Sequence, residues 1–202
     1  MILASASPRR HRLLSEAGLP FRIVPADVDE SMNLALSGGG VAEDLALRKA
    51  LAVAGREGCQ DALVLGSDTV VVLGEDGAEE RRFLEKASDE AEATRMLQAL
   101  SGSRHRVITG VALVDARSGA SQSVHEVTWV TMRLLSPEEV AAYVSSGEWV
   151  GKAGAYAIQE SADQFVTSLE GGGFDNVVGL PVGLTLDLIL RMDPTLVEGS
   201  GR

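Results

Sequence analysis

The sequence predicts an α/β or α+β fold on a mixed sheet, and three observations carry that prediction. Short apolar runs at Ile2–Ala4, Phe21–Val24 and Ala62–Leu73 read as strands. Capping signals open helices between and beyond them, notably Ser7-Pro8 and the box Ser136-Pro137-Glu138-Glu139. Two long strand candidates, His105–Val114 and Ser123–Leu135, flank the turn Asp115-Ala116-Arg117-Ser118-Gly119, as in an extended antiparallel hairpin.

Taken in order, Ser7-Pro8 starts a helix that carries Leu13, Leu14 and Ala17 on one face, and Gly18 ends it. Asp27–Gly40 is polar and contains Ser37-Gly38-Gly39-Gly40, which reads as a lengthened loop. Val41–Arg56 is rich in helix formers, with Leu45, Ala46 and Lys49 within one or two turns of each other. Ala62–Leu73 is apolar except where Gly66-Ser67-Asp68 interrupts it, and Gly74–Gly77 is a turn. Ser88 is placed to cap a helix carrying Ala91, Met96, Leu97 and Leu100, closed by Gly102. After Gly147 the chain reads as irregular and glycine-rich through Gly173, Pro181–Met192 as a last helix, and the rest as a frayed tail.

Composition limits the functions open to such a fold. The 202 residues suit one domain or two intimate lobes, and aromatics at 4% leave the core to Val, Leu, Ile and Ala. A net charge of −11 disfavours nucleic-acid partners. Cys59 is the only cysteine, which excludes an intrachain disulfide and a multi-cysteine zinc site. The apolar start is too short for a signal peptide, and no run approaches the roughly 20 residues that span a bilayer. A cytoplasmic protein with no membrane partner is the expectation.

Three places stand out chemically. At Ser5-Ala6-Ser7-Pro8-Arg9-Arg10 a strand gives way to a helix, aiming free N–H groups, two hydroxyls and two guanidiniums at one point. That arrangement suits phosphate, although a plain capped helix with exposed arginines has the same letters. Asp68 interrupts an apolar strand, where a carboxylate is costly unless paired or metal-bound. The plainer alternative is a strand-terminal aspartate facing water. Asp27-Val28-Asp29-Glu30 offers oxygen ligands for Mg²⁺, or is an ordinary acidic loop. His11, His105 and His125 lack metal-ligand spacing.

Together these segments resemble the Maf (septum-formation protein) family, from about Ile2 to Leu190. The resemblance is carried by Leu3-Ala4-Ser5-Ala6-Ser7-Pro8-Arg9-Arg10, Asp27-Val28-Asp29-Glu30, Arg48-Lys49-Ala50 and Leu65-Gly66-Ser67-Asp68-Thr69-Val70. It continues with Leu100-Ser101-Gly102, His105, Thr109-Gly110-Val111, Lys152-Ala153-Gly154-Ala155-Tyr156-Ala157-Ile158-Gln159 and Asn176-Val177-Val178-Gly179-Leu180-Pro181.

The resemblance implies an α/β fold of two lobes around an elongated mixed sheet with a cleft between them, over residues 1–193, with a flexible tail at 194–202. It implies Mg²⁺- or Mn²⁺-dependent hydrolysis between the α- and β-phosphates of a nucleoside triphosphate, and a homodimer. Position by position, Asp68 matches the proton acceptor and a metal ligand, and Glu30 matches an acidic residue that helps bind metal. Ser5, Arg9, Arg10, Lys49 and Lys86 match residues lining the phosphate site. Arg9, Thr69 and Gln159 match the branch acting on dTTP and UTP; a branch acting on 7-methyl-GTP carries tryptophan, glutamine and glutamate there. A glutamine amide donates and accepts, as O4 and N3–H of uracil or thymine require, whereas a carboxylate only accepts. The chain departs from the family at Glu160, often glycine, and at Glu85-Lys86-Ala87, where Gly-Lys-Pro is usual. Hydrolysis of altered purine triphosphates such as ITP, or nucleotide binding without hydrolysis in septum regulation, are the competing readings.

Overall fold

The computed structural model describes residues 1–77 and 81–198. Its strands form one seven-stranded mixed sheet flanked by helices. Strand β1 (Ile2–Leu3) pairs in parallel with β2 (Arg22–Ile23) and with β3 (Leu63–Leu73), and β4 (Arg82–Leu84) runs antiparallel to the end of β3. Next to β3 lies β5 (Arg104–Asp115), then β6 (Ser121–Met132), then the antiparallel β7 (Val166–Gly171). The expected hairpin closes where Asp115 N–H donates to the carbonyl of Ala120 at 2.9 Å. The helices are α1 (Pro8–Glu16), α2 (Gly38–Ala54), α3 (Glu90–Leu100), α4 (Pro137–Ser146), α5 (Phe174–Val178), α6 (Val182–Met192) and α7 (Thr195–Glu198). No helix among the described residues is long and apolar enough to cross a membrane.

The chain gathers into two compact units. The first comprises Met1–Asp68, Thr109–Glu126 and the chain from Gly179; the second comprises Thr69–Ile108 and Val127–Val178. In the first, strand alternation sends neighbouring residues to different cores. Leu3, Leu65 and Leu113 pack with Leu14 of α1 and Leu188 and Ile189 of α6. Ile2, Val64 and Val114 pack with Ala50 and Val53 of α2. Two glycines let α2 lie directly on the strands. A Cβ on Gly66 would sit 2.1 Å from the carbonyl oxygen of Ala46, and one on Gly110 would sit 2.2 Å from that of Ala42. In the second unit, Leu97 and Leu100 of α3 and Val140, Tyr143 and Val144 of α4 share a core with Val71, Val107, Val130 and Met132.

Several expectations are corrected. β3 is not interrupted at Gly66-Ser67-Asp68, and Asp68 lies within the strand. Each of the three residues is accommodated there: Gly66 makes room for α2, Ser67 Oγ donates to the carbonyl of Gly179, and Asp68 is ion-paired. Gly38-Gly39-Gly40 is the first turn of α2 and does not lengthen the loop. Ser37 Oγ caps it by accepting from Gly40 N–H at 3.0 Å. A Cβ on Gly39 would meet the exposed His125 ring at 2.4 Å, so the ring would have to shift. Asp89, not Ser88, caps α3; Ser88 instead donates to Glu92, and Ala93 rather than Ala91 faces the core. The stretch after Gly147 contains a 3-10 turn at Ser161–Phe165 as well as β7 and α5, because pairing with β6 supplies order that local composition does not signal. Within the expected tail, Thr195–Glu198 forms one helical turn, and 199–202 lie outside the described residues.

Candidate active site

The first unit gathers most of the candidate residues. β1 ends at Leu3, and the chain turns through buried Ser5 into α1, with Ser7 as N-cap and Pro8 in the first turn. Ser5 Oγ accepts from Ser7 N–H at 3.2 Å, and the Ser5 carbonyl lies 2.7 Å from His11 Nε2. Arg9 and Arg10 follow in the first turn of the helix, both half-buried. Arg10 Nε donates to the carbonyl of Gly179 at 2.7 Å, the same oxygen that takes Ser67 Oγ at 3.0 Å. That carbonyl aims the guanidinium. Burial is the main influence lowering the Arg10 pKa; the charges of Asp68 and Glu30 oppose it, and Arg9 adds to it. A guanidinium stays charged regardless.

Lys49 is the centre of the cluster. It is buried on α2, and its ammonium pairs with Glu30 Oε1 at 2.6 Å and with Asp68 Oδ1. The close approach of α2 to Gly66 brings Lys49 within reach of Asp68, two residues along β3 from that glycine. Burying a carboxylate beside an apolar strand would be prohibitive alone; the ammonium compensates it. Of the acidic loop, Glu30 reaches this cluster. Asp29 is consumed locally, accepting from Ser31 N–H and Oγ at 2.8 Å each, and those bonds hold its carboxyl below its ordinary pKa.

The donor set bears on metal. Among the described residues, no group of three or more His, Cys, Asp or Glu side chains gathers to hold an ion. Yet Glu30 and Asp68 both bring an oxygen to one point of positive charge, the Lys49 ammonium. Two carboxylates that converge on a cation are suited to Mg²⁺ or Mn²⁺, which keeps waters or substrate oxygens in its remaining positions. The residues therefore fit such an ion as a two-carboxylate site.

The second unit holds the other candidates. Thr69 follows Asp68 in β3 and is half-buried. Lys86 is exposed and forms an antiparallel bridge with Ala153, while Gly154 N–H donates to the carbonyls of Leu84 and Glu85 at 3.1 Å. The bridge gives Lys86 a fixed backbone despite the loss of the Gly-Lys-Pro turn. Gln159 is exposed in a turn closed by Glu160 N–H on the carbonyl of Ala157 at 3.2 Å. Glu160 turns to the buried Lys152 ammonium, and Ser161 is held by Glu148. Tyr156, earlier in the same segment, shares a 2.8 Å hydrogen bond with buried His105. Burial lowers the His105 pKa to about 4.

Ser67, Lys152 and the Gly179 carbonyl were given no role by sequence reasoning, although all lie in the stretches that carry the family resemblance. The partners of Ser67 and of the Gly179 carbonyl are distant in the chain, and Lys152 meets Glu160 only through the fold of the turn between them. Arg48 belongs with them.

Comparison with known proteins identifies the family. The Maf-like protein family matches residues 1–192. The chain is 48% identical over 191 residues to a dTTP/UTP pyrophosphatase of Pelotomaculum thermopropionicum, covering 95% of each chain. It is 50% identical over 182 residues to a dTTP/UTP pyrophosphatase of Moorella thermoacetica, covering 90% of this chain and 89% of the relative. A dTTP/UTP pyrophosphatase of Symbiobacterium thermophilum is 44% identical over 202 residues, covering 100% of this chain and 98% of the relative. With a match that runs from β1 to the end of α6 and so spans both units, this chain belongs to the Maf-like protein family.

Proposed function

We propose that this protein hydrolyses dTTP and UTP to the monophosphate and pyrophosphate, with Mg²⁺ or Mn²⁺. The observation that carries the reading is the single ammonium of Lys49 shared by Glu30 and Asp68, with Arg10 subject to the charge of both carboxylates. The names of the relatives support the same substrates.

In this reading, Ser5, Arg9 and Arg10 at the start of α1 receive phosphate oxygens, helped by the helix dipole. Lys49 and Lys86 add positive charge along the phosphate chain. Glu30 and Asp68 would hold the metal ion, which when bound would supply positive charge against the phosphate oxygens and the departing pyrophosphate. Asp68 uses one oxygen for Lys49 and accepts a proton from the attacking water through the other. The water oxygen bonds to the α-phosphorus, the α–β bridging bond breaks, and its electron pair leaves with pyrophosphate. Arg9, Thr69 and Gln159 select the base, with the Gln159 amide pairing to O4 and N3–H of the pyrimidine. The reading extends to the cytoplasm, where the nucleotide pool lies, and to a homodimer, which light scattering of the purified protein would test.

A panel of dTTP, UTP, ITP and 7-methyl-GTP, with and without Mg²⁺, tests the proposal. Metal-dependent release of pyrophosphate from dTTP and UTP, with little from the two purines, is expected. Preferred hydrolysis of ITP, or tight UTP binding without pyrophosphate release, would overturn it.

A further inference from the structure

Glu30 sits in a loop, and a loop carboxylate is only as well placed as the backbone beneath it. One side chain grips that backbone on both sides. Arg48 Nη1 donates to the carbonyl of Asp29 at 2.8 Å, and Nη2 donates to the carbonyl of Ser31 at 2.8 Å. The fork thus spans Glu30. Nη2 also donates to Asp44 Oδ2 at 2.5 Å, one turn earlier on α2, which fixes the guanidinium itself. The next residue on the helix, Lys49, holds the Glu30 carboxylate at 2.6 Å. Two consecutive helical residues therefore hold the backbone flanking Glu30 and its side chain. The loop's own bonds, from Ser31 to Asp29, close it from inside but tie it to nothing else. The Arg48 fork connects the backbone on both sides of Glu30 to α2.

We propose that Arg48 is a positioning residue for Glu30. It fixes the loop before metal or substrate arrives, so that the carboxylate is delivered to the cation position at no further ordering cost. The proposal rests on the role given to Glu30 above. It depends on the shape of the guanidinium as well as its charge: two nitrogens of a rigid planar fork meet the two carbonyls and Asp44 at once, whereas a lysine offers a single nitrogen on a flexible stem.

The experiment uses the full-length protein and four variants: Arg48→Gln, Arg48→Lys, Glu30→Gln and the double variant Arg48→Gln/Glu30→Gln. In the absence of metal, hydrogen exchange of the amides in 29–33 is expected to rise at least roughly tenfold in both Arg48 variants, with α2 amides unchanged. Hydrolysis of UTP is expected to fall roughly 10- to 100-fold in both, with the Mg²⁺ needed for half-maximal rate raised. In the Glu30→Gln background, Arg48→Gln is expected to cause less than about a twofold further loss, because the two residues act through one carboxylate. Unchanged loop exchange, full activity in Arg48→Lys, or equal losses in both backgrounds would each overturn the proposal. A fully active Glu30→Gln protein would instead refute the role of Glu30 and remove the positioning role with it; the two failures are told apart by that single variant. If Arg48→Gln did not fold, Arg48→Lys carries the same exchange and rate measurements.

Discussion

The two compact units differ in how their buried polar groups are gathered. In the unit built on Met1–Asp68, charged groups meet one another: Lys49 joins Glu30 and Asp68, while Arg10 lies under the influence of both carboxylates. In the unit built on Thr69–Ile108 and Val127–Val178, the interior polar groups instead form separate pairs that hold different segments in place. His105 meets Tyr156, Lys152 meets Glu160, and Asn176 donates to the carbonyl of Val107 and to Thr128. The candidates there, Lys86 and Gln159, are exposed on backbone held by their neighbours. On the proposed function, the first unit would arrange charge for the reaction and the second would carry the side chains that select the base. Substitutions should therefore separate rate from recognition.

Asp68→Asn offers the largest break. It keeps the size of the side chain and removes the proposed proton acceptor, so turnover of UTP should fall roughly 10²- to 10⁴-fold with little change in melting temperature. Near-normal turnover in a folded protein would remove the chemistry from the first unit. Lys49→Met comes next, because it leaves Asp68, only 9% exposed, without its counter-charge. A destabilisation of about 3 kcal/mol, read from urea unfolding, is expected together with lost activity. A stable, active Lys49→Met protein would mean that the ion pairs are incidental.

The third prediction concerns the second unit. The His105 pKa is lowered to about 4 in the folded protein from an unfolded value of 6.5. Above pH 6.5 both states are neutral and the contribution is complete. As pH falls below that, the unfolded chain takes the proton first, so stability is lost progressively down to about pH 4. The loss amounts to at most about 3 kcal/mol. His105→Gln should flatten that part of the pH–stability curve, and a curve unchanged by the substitution would contradict the assignment. The smallest effect is expected of Gln159→Glu. It should shift the ratio of kcat/KM for UTP over 7-methyl-GTP roughly tenfold toward the purine, while leaving stability alone. A loss of rate on all substrates without a change in ratio would place Gln159 outside base selection.

Much of the fold was legible because its signals are local. Ser7-Pro8 and Ser136-Pro137-Glu138-Glu139 cap α1 and α4 as the letters suggest, and the long hairpin lies where apolar runs flank a turn. The reading failed where a local signal was outvoted. Gly38-Gly39-Gly40 has loop composition but helical structure, since Ser37 caps the turn and the His125 ring occupies the space that side chains would need. β7 was missed because it takes its order from β6.

The candidate site divides in the same way. Asp68, Glu30, Lys49, Ser5, Arg9 and Arg10 could be nominated from residue type and family resemblance, because a carboxylate in an apolar run and arginines at a helix start are unusual by themselves. The sequence alone thus determined which groups are available for chemistry, and that the protein is acidic with one cysteine. Only the tertiary structure decided how they are held. Lys49 meets Glu30 across 19 positions of sequence and Asp68 across another 19, Arg48 spans the backbone around Glu30, and the Gly179 carbonyl aims Arg10 from 169 residues away. Such contacts leave no local trace. They exist because Gly66 and Gly110 let α2 settle on the strands at backbone distance, and the reason for those glycines is visible only when the helix is in place.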